Sequence, residues 1–371
     1  MASVRGRSMG EGGKTTRARA IHIHEGRSMR VIRGVVTIGA VAGLILGATT
    51  ATASAHSSVV RPGQSIQAAV NAAAPGSTVV IGRGTFHESV LIAKPLRLVG
   101  SGSGTVLEPG GPPSDCAPNG ICVFTPGGKV SISNLTVRGF DGFGIFAFQA
   151  TKGFSVTGVR AENDGEYGVA AFESHGISFV NNFASNAEEA GFYIGDTEDA
   201  AGLVAANTSV GSAFGIFLRD SRHGQVVGNK VSGNCVGILG LDTNEMTSTG
   251  DNVSAGDWRL LGNKVRNNSK ACPPNEEAPP LSGLGIALFG PDNYLIAGNV
   301  ITGNTPSGPS AFQGGVVVID STQFGGSTPN RNVVKANVIK GNDPDIFWDG
   351  SGRRNVFAHN LCVTSVPSGL C

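Results

Sequence analysis

The stretch Gly202-Leu-Val-Ala-Ala-Asn-Thr-Ser-Val-Gly-Ser-Ala-Phe-Gly-Ile-Phe-Leu-Arg-Asp-Ser-Arg-His-Gly-Gln-Val-Val-Gly-Asn-Lys-Val-Ser232 holds one full copy of a unit that recurs along most of the chain. An Asn set among aliphatic residues returns at Asn134, Asn182, Asn207, Asn229, Asn263, Asn299, Asn337 and Asn360, with Gly158 in the slot between the first two. The early spacings are 24, 24, 25 and 22 residues. A second column, Gly followed by an apolar residue, runs through Gly144, Gly168, Gly191, Gly215, Gly237, Gly285 and Gly315, and Asp345 fills the last slot. Two interleaved columns of equal period mean one structural unit stacked many times.

The unit reads as strands. Ile145-Phe146-Ala147, Phe192-Tyr193-Ile194 and Val316-Val317-Val318 are short, apolar and bounded by Gly, Asn, Asp or Ser. No window from 77 to 371 carries a helical stripe. A coil of about 23 residues with three short strands stacks into a parallel β-helix of roughly ten coils, whose rungs repeat at about 4.8 Å. The Asn column belongs inside or at a turn, each amide bonding the next rung. Leucine-rich repeats share the period but need a Leu framework that is missing here. An open coil end needs a cover. Gln64–Ala74 is the one helical segment, with Ile66, Ala69, Val70 and Ala73 on one face and Pro75-Gly76 ending it.

Composition agrees. Glycine is 56 of 371 residues, about 15% against roughly 7% in ordinary proteins, which excludes a coiled coil. With 40% hydrophobic residues and a net charge of +1 the chain is not disordered. Arg27, Arg30 and Arg33 precede an apolar run, Val35–Leu46, and Ala53-Ser54-Ala55 follows it. This is the pattern of a secretory signal over residues 1–55 cleaved before His56, with Met29 as an alternative start and a membrane anchor as the alternative reading. The remaining 56–371 then hold 20 basic and 25 acidic residues, so the chain lacks the footprint of a nucleic-acid binder. All six cysteines lie in this part, which favours disulfides. The spacing leaves the connectivity open, and the expected pairs are the nearest ones, Cys116–Cys122, Cys235–Cys272 and Cys362–Cys371. The domain divides into a capping segment 60–100, repeat coils 101–361 and a C-terminal cap 362–371.

Ser65-Ile-Gln-Ala-Ala-Val-Asn-Ala-Ala, Pro75-Gly-Ser-Thr-Val-Val-Ile, Gly84-Thr-Phe-His-Glu and Lys94-Pro-Leu-Arg-Leu-Val-Gly together resemble the entry segment of pectin-lyase-like right-handed β-helix proteins. Pectin methylesterases and the NosD-type copper-maturation proteins share that opening. The resemblance covers about 60–371 and implies a right-handed, single-stranded parallel β-helix. It names no activity, since this superfold hosts lyases, hydrolases, esterases, epimerases and adhesins. The signature motifs of pectin methylesterases, polygalacturonases and pectate lyases are absent, and Ser174-His175-Gly176 matches the polygalacturonase histidine motif without its carboxylates. The five histidines after residue 55 have no metal-ligand spacing.

Candidate chemistry follows from the ladder. Five residues beyond each repeat Gly stand Gln149, Glu173, Asp196, Asp220, Asp242, Gly290 and Asp320, and the next position is mostly Ser or Thr. The column reads either as a line of functional carboxylates or as turn residues capping their own backbone. Glu166 and Glu189 fall on neighbouring rungs, where a Ca²⁺ ion would relieve their repulsion, and solvated turn carboxylates are the alternative. Strand alternation points Phe146, Phe148, Phe172, Tyr193 and Phe217 outward, a row of rings suited to sugar faces, or else a lane covered by loops. Long insertions at 243–257, 267–283, 304–313 and 322–330 are placed to wall a groove or to cover it. Arg219 beside Asp220 is suited to a uronate carboxylate. Lys152, His175, Arg222 and His223 lie on the turn beyond.

These residues predict a secreted, monomeric protein that binds a polysaccharide or cell-wall glycan and acts on its uronate units. Lyase- or hydrolase-type chemistry would rest on Arg219, Asp196, Asp220 and Asp242, with the five aromatic residues and Glu173 holding substrate. No cofactor is required beyond the Ca²⁺ that Glu166 and Glu189 suggest. Neither nucleic acid nor membrane is expected as a partner after signal cleavage. The alternative is a non-catalytic glycan-binding or structural β-helix.

Overall fold

The computed structural model describes residues 59–275 and 278–371, so the proposed signal at 1–55 lies outside the described residues. Each coil contributes one short strand to each of three parallel sheets. The first sheet runs from Val59–Val60 to Val356–Ala358. The second holds ten strands, from Gly84–His87 to Val338–Lys340. The third runs from Val90–Ile92 to Ser365–Val366. One strand, Phe214–Val227, passes unbroken from the third sheet into the first.

The repeat columns mark where the coil bends. Between the first and second sheets Asn182, Asn207, Asn229, Asn263, Asn299, Asn337 and Asn360 form a buried ladder. Asn229 Nδ2 donates to Asn263 Oδ1 at 2.9 Å and to Val204 O at 2.9 Å, and its backbone N–H donates to Asn263 Oδ1 at 2.9 Å. Asn134 and Gly158 belong one position earlier. They are in register with Asn181 and adopt φ of 56° and 65°, so Asn134 serves as a left-handed turn residue and the ladder starts at Asn182. A second ladder, between the second and third sheets, links Ser212, Asn234, Asn268, Asn304 and Asn342 and ends on Asp345.

The Gly column is a packing requirement. A Cβ at Gly215 would lie 2.3 Å from Val231 Cγ1, and one at Gly237 would lie 2.5 Å from Val265 Cγ1. The core fills with the inward residues of the three sheets, among them Ile145, Ile194, Val226 and Ile339. The helix α1, Ile66–Ala72, covers its N-terminal end, burying Ile66 and Val70. Its first turn is capped by Ser65, and the buried Glu88 carboxylate accepts from Ile66 N and Gln67 N. At the far end Ser365–Val366 pairs with Ile346–Trp348 inside the Cys362–Cys371 loop. All three disulfides form as the nearest-neighbour rule expects.

Candidate functional site

The outward lane of the third sheet is where side chains with chemistry accumulate. Phe146, Tyr193, Phe217, Leu239 and Phe289 do point away from the core, yet they are 3%, 1%, 4%, 3% and 6% exposed. They are not a bare platform. Loops lie on them and create a second apolar cluster separate from the core. The insertion that carries Cys272 folds back through the antiparallel pair Cys272 and Leu281 and is tied down by Cys235–Cys272. Phe312, from the next insertion, packs on Phe289 with centroids 5.1 Å apart. Covering is incomplete, and a groove of about 700 Å³ stays open along the lane.

The floor of that groove is built by three rungs in register: Phe172, Gly195 and Arg219 stand side by side. Gly195 has no side chain, so the phenol of Tyr193 lies along its own strand into the vacated slot. A Cβ at Gly195 would sit 2.1 Å from the Tyr193 hydroxyl. The ring is fixed by Tyr167, Phe172 and Phe217, with centroids at 4.6, 4.8 and 5.3 Å. Burial raises the Tyr193 pKa well above its ordinary value, and the Asp196 charge adds to that, so the hydroxyl keeps its proton at neutral pH.

Asp196 follows at the strand exit with φ of 57°. Its Oδ1 is buried without a hydrogen-bond partner. Burial pushes its pKa up to about 6, against the pull of Arg219 and with further help from Glu245 and Glu173. The carboxyl thus changes charge near neutral pH, the property a general base needs. Arg219 is the neighbouring cation, its side chain 13% exposed. Burial works against its charge, and Tyr193, Asp196, Glu245 and Asp220 together outweigh that cost. Its Nε lies 3.3 Å from Asp220 Oδ2, and its terminal amino group pairs with Glu245 from the loop after Thr243.

The remaining candidates divide between groove and scaffold. Phe172, Phe217, Glu166 and Glu189 line the groove with Tyr193, Asp196 and Arg219. Phe146 is buried among the rings of Phe124, Phe143 and Phe172, and Phe148 sits half-buried beside Phe124. Asp220 is fully buried and accepts from Thr243 N at 2.7 Å and Asn244 N at 3.0 Å, which secures the start of the loop. Its pKa rises to about 7 through burial, opposed by the hydrogen bonds from the Thr243 hydroxyl and N–H and by Arg219. Asp242 is buried and bonded to Asn244 N and to the Ser327 hydroxyl. Glu173 holds the loop tip, accepting from Ser248 N at 2.6 Å and Ser248 Oγ at 2.5 Å. The hydroxyls next to the acid column turn inward and are buried at Ser174, Thr197, Ser221 and Ser321.

Glu166 and Glu189 meet on adjacent rungs at the rim, where Glu189 N donates to Glu166 O and the Tyr167 hydroxyl bonds the Glu189 side chain. Ca²⁺ takes six to eight oxygen ligands. Two carboxylates alone fall short of that number, and among the described residues no group of three or more His, Cys, Asp or Glu is arranged around a common point. The basic turn residues lie outside the groove: Arg222 pairs with Asp257, and His175 and His223 flank Asp199 at 3.4 and 3.6 Å.

Tyr167, Phe214 and Glu245 are groove or groove-edge residues that strand alternation misses. The register runs unchanged across the Gly column, Tyr167 with Ala190 and Val169 with Phe192, yet Phe143, Tyr167, Ala190 and Phe214 just before it pack in the outward cluster rather than the core. The residue before each Gly therefore emerges on the outward side. Glu245 is reached only through the loop, which no strand pattern describes.

Residues 114–254 match the model of the right handed beta helix region family. The A-module of an Azotobacter vinelandii mannuronan C-5 epimerase superposes with a TM-score of 0.55 at 18% identity, covering 81% of this chain and 95% of that one. A periplasmic alginate epimerase superposes with a TM-score of 0.57 at 15% identity, over 77% of this chain and 71% of the other. This chain is a right-handed parallel β-helix protein. The catalytic domain of an alpha-1,3-glucanase, solved in complex with tetrasaccharides, shares the β-helix at a TM-score of 0.51 and 13% identity, covering 78% of this chain and 62% of that one. At these identities the likeness establishes the β-helix itself. No curated protein sequence matches the chain.

Proposed function

We propose that this β-helix protein is a secreted enzyme that binds an acidic, uronate-containing polysaccharide in the third-sheet groove and abstracts the proton next to the sugar carboxylate. The observation that carries the reading is the buried, unpartnered Asp196 oxygen beside Arg219 and the protonated Tyr193 hydroxyl. Arg219 pairs with the uronate carboxylate and stabilises the negative charge that develops there when the C5 proton leaves. Asp196, ionised above about pH 6, takes that proton. The electron pair expels the C4 oxygen, and Tyr193 returns a proton to the leaving sugar. One C–H bond, one C–O bond and the Tyr193 O–H bond break, and a carbon–carbon double bond and O–H bonds on Asp196 and the leaving sugar form. A proton passing from Asp196 to the tyrosinate, directly or through solvent, restores both groups. Phe172, half-buried in the groove wall, offers an apolar face to the sugar rings. The likeness to epimerases of mannuronan and alginate supports uronates as the substrate class. The three disulfides accord with an oxidising compartment, and among the described residues no helix is long and apolar enough to cross a membrane. Ca²⁺ at Glu166 and Glu189 would hold a second uronate carboxylate at the rim, sharing ligands with the sugar.

The test follows ultraviolet absorbance of unsaturated uronate and release of reducing ends together, on pectate and alginate, with and without Ca²⁺. Both signals should grow, and both should fall roughly a hundredfold or more in Arg219→Ala. Reducing ends alone would move the reading to hydrolysis. Silence on every substrate from folded protein would favour a non-catalytic glycan-binding module.

A further inference from the structure

The outward surface around the bend from the first to the second sheet has a different character from the groove. In the second half of the second sheet the outward strand residues include Lys230, Lys264, Arg266 and Lys340, all exposed, and no Asp or Glu. Arg259 and Lys335 add two exposed cations from first-sheet strands of the same coils. None of the six makes an ion pair among the described residues, whereas Arg138 and Arg160, earlier on the same sheet, are neutralised by Glu108 and Glu162.

The register sharpens the contrast. Lys230 is paired directly with Lys264 on the neighbouring strand, and Arg266 stands two residues along from Lys264 on the same face. Arg266 is in register with Thr302, which is in register with Lys340. At about 4.8 Å per rung these cations form a row of roughly 14 Å parallel to the helix axis. Like charges directly opposite each other on a sheet destabilise it, and the fold draws nothing from this row to offset that. The acid-rich groove lies on the third sheet, so the later coils present opposite charge on two different sheets.

We propose that this row is a second binding surface, which takes an acidic polysaccharide strand along the helix axis and keeps the polymer on the protein while the groove engages one segment. Charge complementarity selects a polyanion. The remaining outward residues of the row, Ser232, Val300, Thr302 and Val338, include no aromatic ring. Stacking of single-stranded bases and insertion into a bilayer both need such anchors. A linear chain of carboxylates needs only spaced cations. The proposal rests on the reading of the groove for its choice of polyanion.

The test compares full-length protein with the triple variant Lys230→Glu, Lys264→Glu, Arg266→Glu and with the milder Gln triple, after circular dichroism confirms the fold. Binding is measured to long pectate and alginate, to short uronate oligosaccharides, to neutral dextran and to duplex DNA, at low and high salt. Long anionic glycans should bind the wild type, with affinity falling steeply as salt rises and falling roughly tenfold or more in the Glu triple. Short oligosaccharides should bind both proteins alike through the groove. Equal binding of long polymer by wild type and both triples would overturn the surface and leave the groove reading standing. Polymer binding lost in the triples, with short oligosaccharides failing on every protein, would support the surface and overturn the groove reading. Duplex DNA bound as tightly as pectate and lost in the triples would overturn the choice of glycan, and no binding to any probe would overturn the proposal.

Discussion

Two bends of the same coil treat buried polar groups in opposite ways. At the bend between the first and second sheets each ladder amide from Asn182 to Asn337 passes a hydrogen bond to the next. At the exit of the third sheet the acid column is uneven. Glu173, Asp220 and Asp242 hold the loop or its flanks, while Asp196 keeps a buried oxygen without a partner beside an arginine and a tyrosine. A stacked fold satisfies its own backbone by repetition, so a position where repetition stops and a charge stays buried is a place where a ligand can complete the set.

Breaking the satisfied bend should have the largest effect. Asn263 accepts from Asn229 N and Nδ2 and donates to Val226 O and Asn299 Oδ1. Asn263→Ala leaves several buried groups unpaired and should cost roughly 3–5 kcal/mol, read as a lower midpoint in urea. An unchanged midpoint would mean that the ladder follows the fold without holding it.

The next effect sharpens the comparison within one column. Asp164 occupies the position that later coils give to Ala187, Ser212, Asn234 and Asn268. Its Oδ1 accepts from Phe140 N at 3.2 Å, but its Oδ2 is buried without a partner. Burial pushes its pKa from 3.8 up to about 8. Because the folded value is raised, this carboxyl stabilises the fold fully below about pH 4, and that contribution is lost as pH climbs toward 8. Asp164→Asn should remove this loss and add on the order of 2–3 kcal/mol at pH 7, with no gain at pH 4. Urea melts at pH 4, 7 and 9 would show it, and a gain equal at all three would refute the titration.

The smallest effect concerns the loop. Glu245→Gln removes the carboxylate that Arg219 already holds. Uronate oligosaccharides should then bind up to roughly fivefold tighter, as for other partly exposed pairs. Calorimetry giving weaker binding would make Glu245 part of the site rather than a competitor.

Much of this arrangement is legible in the residues. The paired Asn and Gly columns fix the stacked coil, and the apolar face of Gln64–Ala74 ahead of Pro75-Gly76 gives the capping helix, whereas the spacing leaves the disulfide pairing open and the structure selects the nearest cysteines. Arg219, Asp196, Tyr193, Phe172 and Phe217 are singled out by position on the outward lane and meet in the groove. What alternation cannot show is the cover. Phe146 reads as exposed until Phe124, Phe143 and Phe172 of its own and neighbouring coils close around it. The second Asn ladder is hidden because its early slots are Asp164, Ala187 and Ser212. The role of Tyr193 depends on the missing side chain at Gly195.

The central claim is that Asp196 acts as the base of a carboxylate-directed reaction in the groove. Its most direct test is the pH dependence of unsaturated-uronate formation by the wild type and Asp196→Asn. The account predicts a rate that rises as pH passes through about 6, and a variant that folds normally but has lost that rise with nearly all turnover. Wild-type activity that is level across this range, or kept in the variant, would contradict it.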